Sequence, residues 1–303
     1  MSDNKAPSQA DPAQPPSQGY AEKAGPIDPD QHRGLQKLPT DVKSTLGKID
    51  ALILQLTRTI KTTAGFSASL SSLNYSLYLL AYLHAQAPSR ATLIARLSKI
   101  LGRDVKLPPK ALAPTPSPLL PLGLMVADFR TTLRLTGLLS LYVLLKSLLL
   151  QKGGDPLKHK ILLVQCLGYI GFQATENILQ LTNKGVLQPT LVARLGGAGG
   201  AANVMKWACR SWLVGVATDF FRLWRDATLM RERKTRERVS REEEEQFDAK
   251  WWADLQTCTA WLPVAIHYSV EGGLTGMNQG IVGFCGLMAG LNNFRAAWKG
   301  AAA

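Results

Sequence analysis

The sequence is poor in the residues from which catalytic centres are usually built. Its 303 residues include four histidines and four cysteines. Cys166, Cys209, Cys258 and Cys285 are isolated, with no CxxC pair and no metal-ligand spacing. They read as small apolar residues of a reducing compartment and exclude a disulfide framework. No Walker A loop, GxSxG elbow, HExxH pair or GxGxxG turn occurs, which removes the common phosphate, acyl-transfer, zinc and dinucleotide chemistries. No segment sustains a period-2 alternation, and Val, Ile and Thr rarely cluster. Strands are therefore not expected, and the fold class is all-α. Residues 1–40 hold no apolar core of the kind a secretory signal requires, about 7–15 residues.

Acidic residues are also scarce beside basic ones, 22 against 35. Residues 1–40 carry a charge of −1, so the remaining 263 carry +14. Such an excess points to a polyanion, either nucleic acid or an anionic membrane surface. With seven prolines among Gln, Ser and Asp, residues 1–40 read as a disordered tail that cannot bury enough apolar surface to order itself.

From Gly272 to Phe294 the chain runs 23 residues without a charge, seven of them glycine. A membrane-crossing helix needs roughly 20 apolar residues. Gly272, Gly276 and Gly280 step by four, as do Gly286 and Gly290. Glycine costs a helix in water about 1 kcal/mol relative to alanine, whereas in lipid a stripe without side chains lets a second helix approach. A transmembrane helix over 272–294 is expected, with these glycines as its packing stripe.

Val42, Leu46, Ile49, Ile53, Leu56 and Ile60 form one apolar stripe of a helix capped by Thr40 or Asp41. A second helix follows Gly65. Further on, Leu93, Ile94, Leu97, Ile100 and Leu101 share one helical face, and Arg96, Lys99, Arg103 and Lys106 share another. A basic face backed by Leu and Ile suits the headgroup layer of an anionic membrane. The absence of interleaved aromatics argues against nucleic acid. Residues 41–106 thus form an N-terminal amphipathic module. Six prolines in Leu107–Gly123 predict a stiff extended linker over 107–123.

The C-terminal membrane module, 124–303, opens on Leu124–Leu150 and continues with the short apolar stretch Ile161–Phe172 and an aromatic-rich helix over Asn203–Trp224. A charged insert follows over 231–250, with seven cations against seven anions, expected to be a solvated helix or loop. His267 and Glu271 lie one turn apart and are expected to form a structural polar pair. No metal, cofactor or catalytic residue is expected, and the chain is not read as an enzyme.

Two segments resemble a known family. Val126–Leu139 (Val-Ala-Asp-Phe-Arg-Thr-Thr-Leu-Arg-Leu-Thr-Gly-Leu-Leu) is similar to a stretch of the fungal branch of the peroxin-11 family. Gln173–Leu187 resembles the end of one of that family's helices. Arg210-Ser-Trp212, Leu262-Pro263, the His267–Gly272 segment and the Gly-rich last helix follow in the family's order. The charged insert and the Pro-rich linker depart from it. The resemblance implies a peroxisomal membrane protein that elongates the organelle before fission. It would act by inserting an amphipathic helix, self-associating as a homo-oligomer and meeting a dynamin-type fission machinery. Its lipid contacts would be Arg96, Lys99, Arg103 and Lys106, and Phe66–Leu83 competes with 93–106 as the inserting helix. The C-terminal Ala-Ala-Ala carries no matrix-import tripeptide, which suits a membrane-protein route. The alternative is a channel or carrier for small metabolites, which would place charged residues within its helices or repeat its halves.

Overall fold

The computed structural model describes residues 40–88, 90–101, 117–151 and 153–301. The expected tail before Thr40, the candidate lipid contacts Arg103 and Lys106, and most of the 107–123 linker lie outside them. Among the described residues every regular element is helical: α1 Thr40–Lys61, α2 Thr63–Gln86, α3 Arg90–Leu101, α4 Leu119–Leu133, α5 Gly137–Leu150, α6 Pro156–Asn183, α7 Pro189–Gly196, α8 Gly200–Arg236, α9 Arg241–Ser269 and α10 Gln279–Gly300. One 3-10 turn, Arg134–Thr136, joins α4 to α5.

By its contacts the chain falls into two units that divide between Leu54 and Gln55, inside α1. In the first unit, α1 exposes Leu46, Ile49, Leu52, Ile53 and Leu54. The second unit is a ring of helices in which each packs on the next: α2, α10, α9, α8, α6, α4 and back to α2, with α5 applied to α6. The two-module division expected from sequence therefore does not hold for α2. It packs on α4 and α10 of the C-terminal segment, burying Ala68, Asn74, Leu77 and Ala81. Phe66–Leu83 thus packs one face into the bundle, while Leu73, Leu80 and Leu83 on its other face are about half exposed.

Side-chain caps start the helices. The Thr62 hydroxyl accepts from Gly65 N at 3.1 Å, the Asp155 carboxylate from Lys158 N at 2.7 Å, the Ser240 hydroxyl from Glu243 N at 3.1 Å and Asn278 Oδ1 from Ile281 N at 3.1 Å. Each satisfies an amide that the first turn leaves unpaired. Leu119–Gly123, expected to be extended, is the first turn of α4, because Pro118 and Pro121 sit where a missing N–H costs no helical bond. The short stretch Ile161–Phe172 is the middle of α6, which continues for 28 residues. The charged insert carries the end of α8 into α9, with Arg233 and Lys234 paired to Glu243 and Glu244 across the turn.

A single helix over 272–294 does not form. Residues 270–278 turn the chain, with φ of 74°, 71° and 83° at Gly272, Gly273 and Gly276, conformations that a right-handed helix cannot contain. Helix α10 begins only at Gln279, where Asn278 caps it. From there Gly280, Gly283, Gly286 and Gly290 form a smooth face against α2. A Cβ added at Gly283 would lie 2.6 Å from Leu79 N, at Gly286 2.3 Å from Tyr75 Cδ1 and at Gly280 2.3 Å from Tyr82 Cδ1. The described helix long and apolar enough to cross a membrane is instead Leu119–Leu150, 32 residues with a mean hydropathy of 1.7 in its most apolar window.

Candidate functional site

Two features stand out from the packed bundle: an uncovered apolar surface and a cavity with charged and aromatic walls inside the ring. In the most apolar window of Leu119–Leu150 only 6% of residues are buried. Leu148 is the one buried residue of α5, and Leu139, Tyr142, Val143, Leu149 and Leu150 are each more than 60% exposed. A helix of a water-soluble core would hide such side chains, since each contributes about 1.5–3 kcal/mol when removed from water. The outer faces of α1 (Leu46, Ile49, Ile53, Leu56, Ile60) and α3 (Leu93, Ile100) are exposed as well.

The cavity occupies about 810 Å³ and takes its lining from all six helices of the ring. Its polar wall starts at α4. Arg130 donates from Nη1 to Asn74 Oδ1 at 2.8 Å and from Nη2 to Ser71 Oγ at 3.0 Å. Asn74, 2% exposed, is held by its own donation to Gly123 O at 2.9 Å. One turn on, Arg134 meets Glu176 of α6 through two bonds of 2.6 and 2.9 Å. At the other end Arg222 bridges Asp219, Asp226 and Asp254, tying α8 to α9. Tyr169 donates to Asp219 at 3.2 Å, and burial, then that carboxylate, push its phenol up. An aromatic row completes the lining: Phe172, Trp212, Trp261 and Tyr75 follow one another at centroid distances of 6.0, 5.4 and 5.4 Å. Burial pushes the Cys209 thiol up to about 11, the reverse of what a nucleophilic thiolate requires.

The residues singled out by sequence separate. Leu93, Arg96, Lys99 and Ile100 of α3 are exposed and Ile94 is half-buried. The side chains of Leu97 and Leu101 lie outside the described residues. Gly280, Gly286 and Gly290 join the α2–α10 contact, whereas an added Cβ at Gly272 or Gly276 would meet nothing within 4 Å. The expected stripe is therefore two features, a turn and a packing face, and the face is filled from within the chain. His267 and Glu271 do not pair. His267 Nδ1 accepts from Leu274 N at 2.9 Å and so closes the turn after α9, while Glu271, 89% exposed at its side chain, meets Lys206 at 3.1 Å. The helix ends at Ser269, so the one-turn spacing that would have joined them is lost.

Arg130, Asn74 and the Arg222 cluster were not marked by the sequence reading. Arg130 lies inside an apolar run that reads as membrane helix, and Asn74 inside a Ser- and Leu-rich one. The signal available was the position of Asp128, Arg130 and Arg134 within that run, since charges there are costly unless they face a partner.

No protein-family model matches the chain, and no curated protein or solved structure gives a significant match.

Proposed function

We propose that this chain remodels the peroxisomal membrane, elongating the organelle before fission. The observation that carries the membrane part is the Leu119–Leu150 helix, where Leu139, Tyr142, Val143, Leu149 and Leu150 stay largely uncovered by protein and would find partners in acyl chains. The exposed basic and apolar residues of α3 (Leu93, Ile100, Arg96, Lys99) would enter one leaflet, Arg103 and Lys106 adding charge toward anionic lipid. Insertion into one leaflet expands its area and bends the sheet, more so when many copies assemble. The peroxisome, the homo-oligomer and the dynamin-type partner rest on the resemblance of Val126–Leu139 and Gln173–Leu187 to the peroxin-11 family. In this reading the chain has no catalytic activity of its own and no cofactor.

The test is a tagged full chain in cells. It should stay with carbonate-washed membranes, colocalise with a peroxisomal marker and, on overexpression, lengthen the organelles. Release by carbonate, or rounded organelles at normal protein level, would overturn the reading. A channel or carrier for small metabolites is the second reading, favoured by the ring of six helices around a cavity with charged walls. Solute flux through reconstituted vesicles without any change of vesicle shape would put it first.

A further inference from the structure

We infer that the cavity is a binding site for an organic anion: a flat, apolar body bearing one carboxylate or phosphate group. The inference stands apart from the remodelling reading, since it concerns the interior of the ring and not its outer surface. Its basis is how the charges pair. Each carboxylate lining the cavity already faces a cation: Glu176 faces Arg134, Asp219 faces Arg222, and Asp254 faces both Arg222 and Lys250. Arg130 has no such partner among the described residues. Its two hydrogen bonds go to the neutral oxygens of Asn74 and Ser71, which leaves about three of its five N–H groups free for a ligand.

The placement of that cation makes the site specific. Asn74, buried and pinned to Gly123 O, fixes the guanidinium plane. The Arg130 Cζ lies 5.1 Å from the Tyr75 ring centroid, at the end of the aromatic row that runs through Trp261 and Trp212 to Phe172. A planar body would lie along this row with its oxyanion on the guanidinium, where a forked donor matches a carboxylate or phosphate. The volume, about 810 Å³, falls in the range of small-molecule sites, roughly 300–1,000 Å³. Arg130, Trp261 and Asn293 also wall a second cavity of about 820 Å³ whose rim carries Arg58. Arg58 too has no carboxylate within ion-pair distance among the described residues.

The test uses the full chain in neutral detergent micelles and titration calorimetry with 1-naphthaleneacetate, 1-naphthyl phosphate, the neutral 1-naphthaleneacetamide and inorganic phosphate. One of the two aryl anions, or both, should saturate a single site; the tighter of them names the head group. The amide and inorganic phosphate should each bind at least tenfold more weakly. Arg130→Gln should weaken the aryl anion at least tenfold, Arg130→Lys less, and Arg233→Gln, a charge loss on the outer end of α8, should leave it unchanged. The proposal falls if the amide binds as tightly as the acid, if Arg130→Gln binds like the parent, or if uptake never saturates and reports micelle partition only. Should Arg130→Gln fail to fold, the amide comparison on the parent chain and Arg130→Lys still decide.

Discussion

Arg134 and Glu176, 42 positions apart, meet through two hydrogen bonds of 2.6 and 2.9 Å. They join the 3-10 turn between α4 and α5 to the C-terminal half of α6. Around them Gln180 donates to Asp128 and Thr132, Asn177 donates to Leu135 O, and Lys184 pairs with Asp128. Segments 126–139 and 173–187 are thereby bonded to each other at several points along their length.

Removing one partner of that pair should be costly. Glu176 is 12% exposed at its side chain and Arg134 39%, so the pair is only partly screened by water. Glu176→Gln should lower stability by about 2 kcal/mol, read as a fall in Tm. The Arg134→Gln, Glu176→Gln double variant should recover part of the loss, because it no longer strands a charge.

The α2–α10 contact should tolerate no side chain at Gly283. An added Cβ there meets backbone, Leu79 N at 2.6 Å and Tyr75 O at 3.0 Å, which cannot rotate away as a ring can. Gly283→Ala should cost about 1–3 kcal/mol in thermal unfolding. Gly300→Ala, where nothing lies within 4 Å, should be neutral. Equal Tm values for the two variants would show that the helices part more easily than the geometry implies.

Acid should weaken the start of α6. Hydrogen bonding from Arg225, then from the Lys158 backbone amide, holds the Asp155 carboxyl down to about 2 from an ordinary 3.8. A lowered folded-state value means stability that is complete above pH 4 and lost as the pH falls towards 2. Asp155→Asn keeps a competent cap but removes this titration. The Tm of the variant should vary less than that of the parent between pH 4 and 2; parallel curves would assign the acid loss to other carboxylates.

On the proposed function, Ile100→Glu should weaken binding of the full chain to anionic vesicles. Ile100 is 80% exposed, so the change should leave Tm unaltered while removing an apolar contact of about 1.5–3 kcal/mol, roughly tenfold or more in affinity. Binding by the parent should also fall with salt, through screening of Arg96 and Lys99. Unchanged vesicle affinity would move the inserting role away from α3.

The sequence reading found helices where apolar residues recur on one face, as in α1, and found an all-helical chain from the lack of alternation. It marks the apolar stretch Ile161–Phe172 and places Glu176 and Asn177 on the polar side of the same helix, but names no partner for them or for Gln173 and Gln180. In the fold they are the partners of α4 and α5 and are largely hidden. It ran one helix through 272–294 because glycine spacing is the same in a turn as in a packing stripe. What separates the two is Asn278, whose side chain starts α10. The cavity was illegible for a related reason: its walls come from six helices, and no local pattern records which polar residues face one another across a ring.

The smooth face of α10 ties the history of two distant segments together. Tyr75 and Tyr82 fill the space that Gly286 and Gly280 leave. A smaller residue in place of either tyrosine would open a hole that only a larger residue on α10 could close. A larger residue on α10 in turn could arise only after the tyrosine had shrunk. Among relatives of this chain, positions 75 with 286 and 82 with 280 should therefore change as pairs, ring against glycine, and a lineage caught between the two states should carry an unstable protein.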